Sequence, residues 1–118
     1  MNDISEIERK IDKLLKKIDF PFHMKGYEYV KEAIFIAIRT PEIINEKEAV
    51  LYTKVANKCQ TTPPRVERAI RHAIEFTWYI GNINILNLYF GNNIGGDKEI
   101  PTNRDFIYVL LSRIKKEN

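Results

Sequence analysis

At 118 residues, 44% of them apolar, the chain is long enough for one domain with a buried core and too short for two of ordinary size, which excludes most multi-domain machines. Charged residues make up 30%, with 19 Lys and Arg against 16 Asp and Glu, a balance that excludes a disordered or supercharged chain. A net charge of +3 and a pI near 9.0 point to an anionic partner only if the positive charge is gathered in one place.

The first predicted element, Asp3 to Ile18, sets Ile4, Ile7, Ile11, Leu14, Leu15 and Ile18 at three- and four-residue spacings, which is one helical stripe. Between Met1 and Phe20 five basic and five acidic residues cancel, so this helix is not the anionic-partner site. Pro21 closes it. Residues 1–21 are therefore expected to form an amphipathic helix and linker, ahead of an effector domain over 22–118. A second helix is predicted from about Gly26 to Arg39, and its apolar run Ala33 to Ile38 marks it as central to the core. That run is far below the roughly 18 residues of a membrane span. Pro41 stops the helix, a short helical turn is expected at Glu42 to Asn45, and Glu48 to Cys59 reads as a third helix with Val50, Leu51, Val55 and Cys59 inward. Thr62 is placed to cap the next helix, with Pro63 and Pro64 in its first turn, where missing amide hydrogens do no harm. That helix should run through Tyr79.

Gly81 ends it, and Asn82 can cap a short helix reaching about Phe90. Gly91 to Ile100 is a turn-rich loop without apolar periodicity. Thr102 followed by Asp105 is a variant capping box ahead of Phe106, Ile107, Val109, Leu110, Leu111 and Ile114. The last helix carries Arg113, Lys115 and Lys116 at its negative dipole end. No period-two segment of any length appears, so the expected fold is all-α: a bundle of about six helices containing a helix-turn-helix.

The interior of that motif can be checked by position. Ala56 supplies the small residue where the helices cross, Val55 and Cys59 flank it, and Val66 and Ala69 complete the inter-helix core. On a wheel of about 100° per residue, Val66, Ala69, Ile70, Ala73, Ile74 and Thr77 share one arc. Arg65, Arg68, Arg71, His72 and Glu75 fall opposite, with Glu67 at the edge. From Lys58 to His72 four basic residues and one acidic one give +3, as large as the surplus of the whole chain. An exposed helix with this face suits the major groove, where arginines pair bidentately with guanine or contact phosphate and Glu67 can accept from cytosine N4. Lys58, Thr61 and Thr62 at the turn complete the candidate DNA-binding set. The plainer reading is a solvated amphipathic face on which Arg71 and Glu75 form an i,i+4 ion pair.

Other chemistries find little support. His23 and His72 are the only histidines, and with Cys59 placed in the core as an inert thiol there is no metal-ligand set of usual spacing. Gly95 and Gly96 lack the Lys and Ser/Thr of a phosphate loop. Asp97, Glu99 and Asp105 read as loop solvation and helix-start charge rather than a carboxylate cluster. Phe76, Trp78 and Tyr79 at a helix end read as packing rather than a stacking platform. The expectation is a non-enzymatic cytoplasmic protein without cofactor, metal or membrane contact.

At Thr62 to Glu75 (TPPRVERAIRHAIE) the chain resembles the DNA-binding effector domain of the sporulation master response regulator family of endospore-forming bacteria. The likeness extends over about Ile18 to Glu117 through Lys25-Gly26-Tyr27 with Tyr29, Glu32-Ala33-Ile34, Trp78, Gly81-Asn82-Ile83, Phe90-Gly91, and Pro101-Thr102-Asn103 with Phe106-Ile107. The ten residues Val66 to Glu75 are its most specific part. The resemblance implies a six-helix domain binding a box like TGTCGAA, with Glu67 and Arg68 reading bases and Arg65 and His72 on the same DNA-facing helix.

Three departures stand out. At 118 residues there is no room for the family's receiver domain, so the chain is expected to be either an excised effector domain or a regulator without phosphorylation control. Pro64 replaces a small hydroxyl residue, which removes a contact from the helix start. In the helix from Asn82 to Phe90, Ile85, Leu88 and Tyr89 project away from Ile83, Leu86 and Phe90, where the family is more polar. Since the family contacts the primary sigma factor of RNA polymerase nearby, these three are expected to form a protein interface or to be covered by the loop that follows. Together these features predict a sequence-specific, nucleoid-associated transcription regulator of sporulation or development that reads double-stranded DNA, with self-association on DNA and a sigma-factor contact as further partners. The alternative is an interaction module acting on the full-length regulator or RNA polymerase through residues 82–90.

Overall fold

A computed structural model describes residues 4–91 and 100–116. The loop residues Gly95, Gly96, Asp97 and Glu99, and with them any cover that 92–99 could lend the preceding helix, lie outside the described residues. Six α-helices are present among the described residues: α1 (Ile4–Lys17), α2 (Lys25–Arg39), α3 (Glu48–Cys59), α4 (Pro63–Ile80), α5 (Ile83–Phe90) and α6 (Asn103–Lys116), with a 3-10 turn at Pro41–Asn45. The all-α expectation holds, element by element and nearly to the residue.

The stripe on α1 does what its spacing demands: Ile7, Ile11, Leu14 and Leu15 are buried while Ile4 stays half exposed. The helix ends because Asp19 takes a left-handed conformation (φ 57°), letting the Phe20 amide reach back to the Leu15 carbonyl at 2.9 Å. Tyr27 Oη donates to Asp12 Oδ1 at 2.8 Å and Lys31 Nζ approaches Asp12 Oδ2 at 3.0 Å, which fixes α1 against α2. Burial, then the Asp12 hydrogen bond, push the Tyr27 phenol well above its usual range, so it remains a donor.

The helices close on an aromatic centre contributed by four segments. Phe106 is fully buried, stacked on Phe90 at 5.3 Å and on Phe20 at 5.1 Å, with the edge of Trp78 at 6.1 Å. Trp78 is thus packing, as its place at a helix end suggested, whereas Tyr79 next to it is 89% exposed. Cys59 differs from its expected place: the thiol is only partly buried, and desolvation followed by the charges of Glu28 and Glu32 raises its pKa. Val50 and Leu51 are likewise half-buried, and the inward positions of α3 are Tyr52, Val55 and Ala56.

Caps account for the short helices. The Asn82 side chain accepts from the amides of Asn84 at 2.9 Å and Ile85 at 3.4 Å. Because α5 has only eight residues, most of its start depends on that one group. Asn82→Ala is expected to cost about 1 kcal/mol, visible as a lower urea midpoint with an unchanged slope. At α6 the Thr102 hydroxyl accepts from the Asp105 amide at 3.1 Å, the predicted capping contact.

Candidate nucleic-acid interface

The interface is built on the three residues between α3 and α4. Gln60, where a glycine is common, adopts the left-handed conformation itself (φ 58°, ψ 50°), and the Thr61 amide closes on the Ala56 carbonyl at 2.9 Å. Thr62 is the N-cap residue by position, but its side chain makes no capping bond; its carbonyl accepts from the Val66 amide at 3.0 Å. Pro64, at the second helical position, removes one of the two amides that such a cap can satisfy, and Pro63 lacks an amide that would have been left unpaired in any case. Ala56, Val55 and Val66 are buried and Ala69 partly so, which locks α4 across α3 by the crossing the sequence required.

With that face turned inward, Arg65, Glu67, Arg68 and His72 are turned to solvent, and Lys58 and Thr62 are exposed at the turn beside the half-buried Thr61. Among the described residues the side chains of Arg65, Arg68 and His72 form no hydrogen bond or ion pair. Positive charge that the fold does not consume is therefore presented along one side of α4.

Arg71 is placed otherwise. Its guanidinium Nη2 donates to the Pro101 carbonyl at 2.9 Å, and its Nε faces Glu75 Oε2 at 3.4 Å without hydrogen-bond geometry. The i,i+4 pairing that the plainer reading named is present, and Arg71 additionally ties α4 to the segment entering α6. Beside it lies a polar cluster that sequence reasoning missed. Asn103 Nδ2 donates to Tyr52 Oη and to the Glu67 carbonyl, each at 3.1 Å, while Tyr52 donates in turn to the Glu48 carboxylate. Desolvation and the bond to Glu48 raise the Tyr52 phenol far above its usual value. Residues 51 apart in sequence meet here, and no local period announces such a pairing.

On α5 the predicted trio divides. Leu88 is 69% exposed, but Ile85 and Tyr89 pack against the core, with the Arg113 guanidinium 4.4 Å from the centre of the Tyr89 ring and its Nη2 bonded to the Leu88 carbonyl at 2.9 Å. The apolar side chains that stand in solvent near Leu88 in sequence are Tyr79, Ile80 and Ile83. Among the described residues no group of three His, Cys, Asp or Glu is arranged to hold a metal, and no helix is long and apolar enough to cross a membrane.

A six-helix domain whose tight turn presents an exposed basic helix is a DNA-reading module of the helix-turn-helix class. The chain belongs to the family described as sporulation initiation factor Spo0A C terminal, which it matches over residues 11–114. That family is the DNA-binding domain of a sporulation regulator, and the chain is accordingly a DNA-binding regulatory domain rather than a member of an enzyme family.

Proposed function

We propose that the protein is a sequence-specific transcription regulator of sporulation or development that reads a TGTCGAA-like box through the major groove. The observation that carries this reading is the row Arg65, Arg68 and His72, exposed and without intramolecular partners among the described residues, on a helix whose other face is locked in the core. Glu67 and Arg68 are assigned to bases. Arg65, His72 and the turn residues Lys58, Thr61 and Thr62 are assigned to the backbone, while Arg71 has its guanidinium committed to Pro101 and serves DNA through charge alone. In this reading residues 22–118 form the effector unit, 1–21 supply the helix packed against it, and the protein works in the cytoplasm on the nucleoid.

A second reading rests on the exposure of Leu88, together with Tyr79 in the last turn of α4 and Ile83 at the start of α5. There Ile85, Leu88 and Tyr89 border a surface for self-association on DNA or for a sigma factor of RNA polymerase, with Leu88 as the contacting residue. Gel shifts with a TGTCGAA duplex and its scramble, each titrated with salt, separate the two. DNA reading requires tighter binding to the box and a steep salt slope on both duplexes. Equal affinity for the two duplexes, together with a Leu88-dependent protein complex, would leave only the interaction module.

A further inference from the structure

We infer that Asn103, held by Tyr52, is a positioning residue for base reading: it fixes the rotation of the α4 turn that carries Glu67 and Arg68. The inference rests on the DNA-reading function proposed above. Asn103 is the first residue of α6 and only 6% exposed, and Tyr52 is 4% exposed, so both polar side chains have been taken out of water. Burying such groups is unfavourable unless their bonds are made. Here Asn103 Nδ2 and Tyr52 Oη make theirs while Asn103 Oδ1 has no partner among the described residues, so an apolar pair would pack at lower cost. The bonds that are made point to a directional task.

The hydrogen-bond pattern supplies one. The Glu67 carbonyl can only accept, so the Asn103 amide must turn its Nδ2 toward it. Tyr52 Oη, also within 3.1 Å of that nitrogen, must then accept as well, and its own proton goes to Glu48. The donor order Asn103 to Tyr52 to Glu48 is thus fully determined. Inside an α-helix the Glu67 carbonyl already receives the amide four residues on, so the Asn103 bond uses its second lone pair. It orients the helix instead of satisfying it. One turn further, Arg71 Nη2 bonds to the Pro101 carbonyl at 2.9 Å. Two residues entering α6 therefore grip two successive levels of α4, at 67 and 71. The side chains of Glu67 and Arg68 leave the helix from the gripped turn, and a rotation of a few degrees displaces their tips most. Recognition groups need this support to hold their geometry to within about 0.5 Å.

The test uses the full chain as wild type, Asn103→Ala and Tyr52→Phe. Affinity is measured for the TGTCGAA duplex and for its scramble, with a salt titration on the scramble and circular dichroism on every variant. Asn103→Ala is expected to lower the preference for the box by roughly five- to tenfold, the equivalent of about one hydrogen bond, with scramble affinity and salt slope unchanged. Tyr52→Phe, which keeps the ring in place, should move the preference in the same direction by less. An unchanged preference in folded variants overturns the positioning role, and so does an equal loss on both duplexes, which marks a purely structural residue. If Asn103→Ala does not fold, Tyr52→Phe decides alone. A wild type with no preference for the box overturns the DNA reading and the inference with it.

Discussion

Replacing Arg68 with alanine is expected to weaken binding to the preferred duplex by about 1 to 3 kcal/mol and to relax the preference at a single base pair. Arg68 is exposed and, among the described residues, has no intramolecular partner, so its removal leaves no buried group unsatisfied. Thermal stability should stay within about 0.5 kcal/mol of the wild type. The loss therefore belongs to the complex rather than to the fold. A competition series over all single-base-pair variants of the box is the deciding measurement. Base reading shows as one position where the mutant no longer distinguishes the pairs, with the others unaffected. A uniform loss, accompanied by a salt slope smaller by about 1, would instead make Arg68 a phosphate contact. Arg71→Ala is a useful contrast, because it breaks the bond to Pro101 and exposes how far the α4–α6 attachment contributes.

The contrast between these neighbouring arginines also shows where sequence stops being informative. Helical projection places Arg68 and Arg71 in the same outward arc, and both are there. Projection gives a direction, however, and says nothing of what another segment brings to meet it. Pro101 comes from 30 residues away to take the Arg71 guanidinium. The same holds on α5, where the period sends Tyr89 away from Leu86 and Phe90, yet the ring packs against the core with Arg113 of α6 over it. Features set by neighbours in the chain were legible: the helix limits, the caps at Asn82 and Thr102, the apolar stripe of α1, and the small residue at Ala56. Those set by long-range encounters were not, and they include the half-buried thiol of Cys59 and the Glu48, Tyr52 and Asn103 cluster under the reading helix. A buried asparagine after a proline and a threonine looks like an ordinary helix start until the facing carbonyl is known.

Gly26→Ala is the prediction in which the two kinds of information give opposite signs. Judged locally, a glycine in α2 should be improved by alanine, which gains up to roughly 1 kcal/mol within a helix. Its surroundings reverse this. A Cβ at position 26 would lie 2.4 Å from the Ala69 carbonyl oxygen and 2.7 Å from the Ala73 Cβ, so α2 and α4 approach each other over a bare backbone. Ala69 and Ala73 are already the smallest chiral residues, and a helix carbonyl cannot swing aside as a flexible side chain can. Relief requires the helices to separate, which opens space around Val30, Ile70 and Ala73, all fully buried. The expected cost is about 3 kcal/mol, at the upper end for overpacking, or a fall in Tm of roughly 10 °C for a domain of this size. Because α4 carries Arg68 on its opposite side, the displacement should also reduce the preference for the box in the fraction that remains folded. A thermal melt followed by circular dichroism checks the first effect, and a gel shift well below the lowered Tm checks the second. A Gly26→Ala protein that melts at or above the wild-type temperature would mean that the α2–α4 crossing has slack, and the geometry that aims the reading helix would have to be held from the α6 side alone.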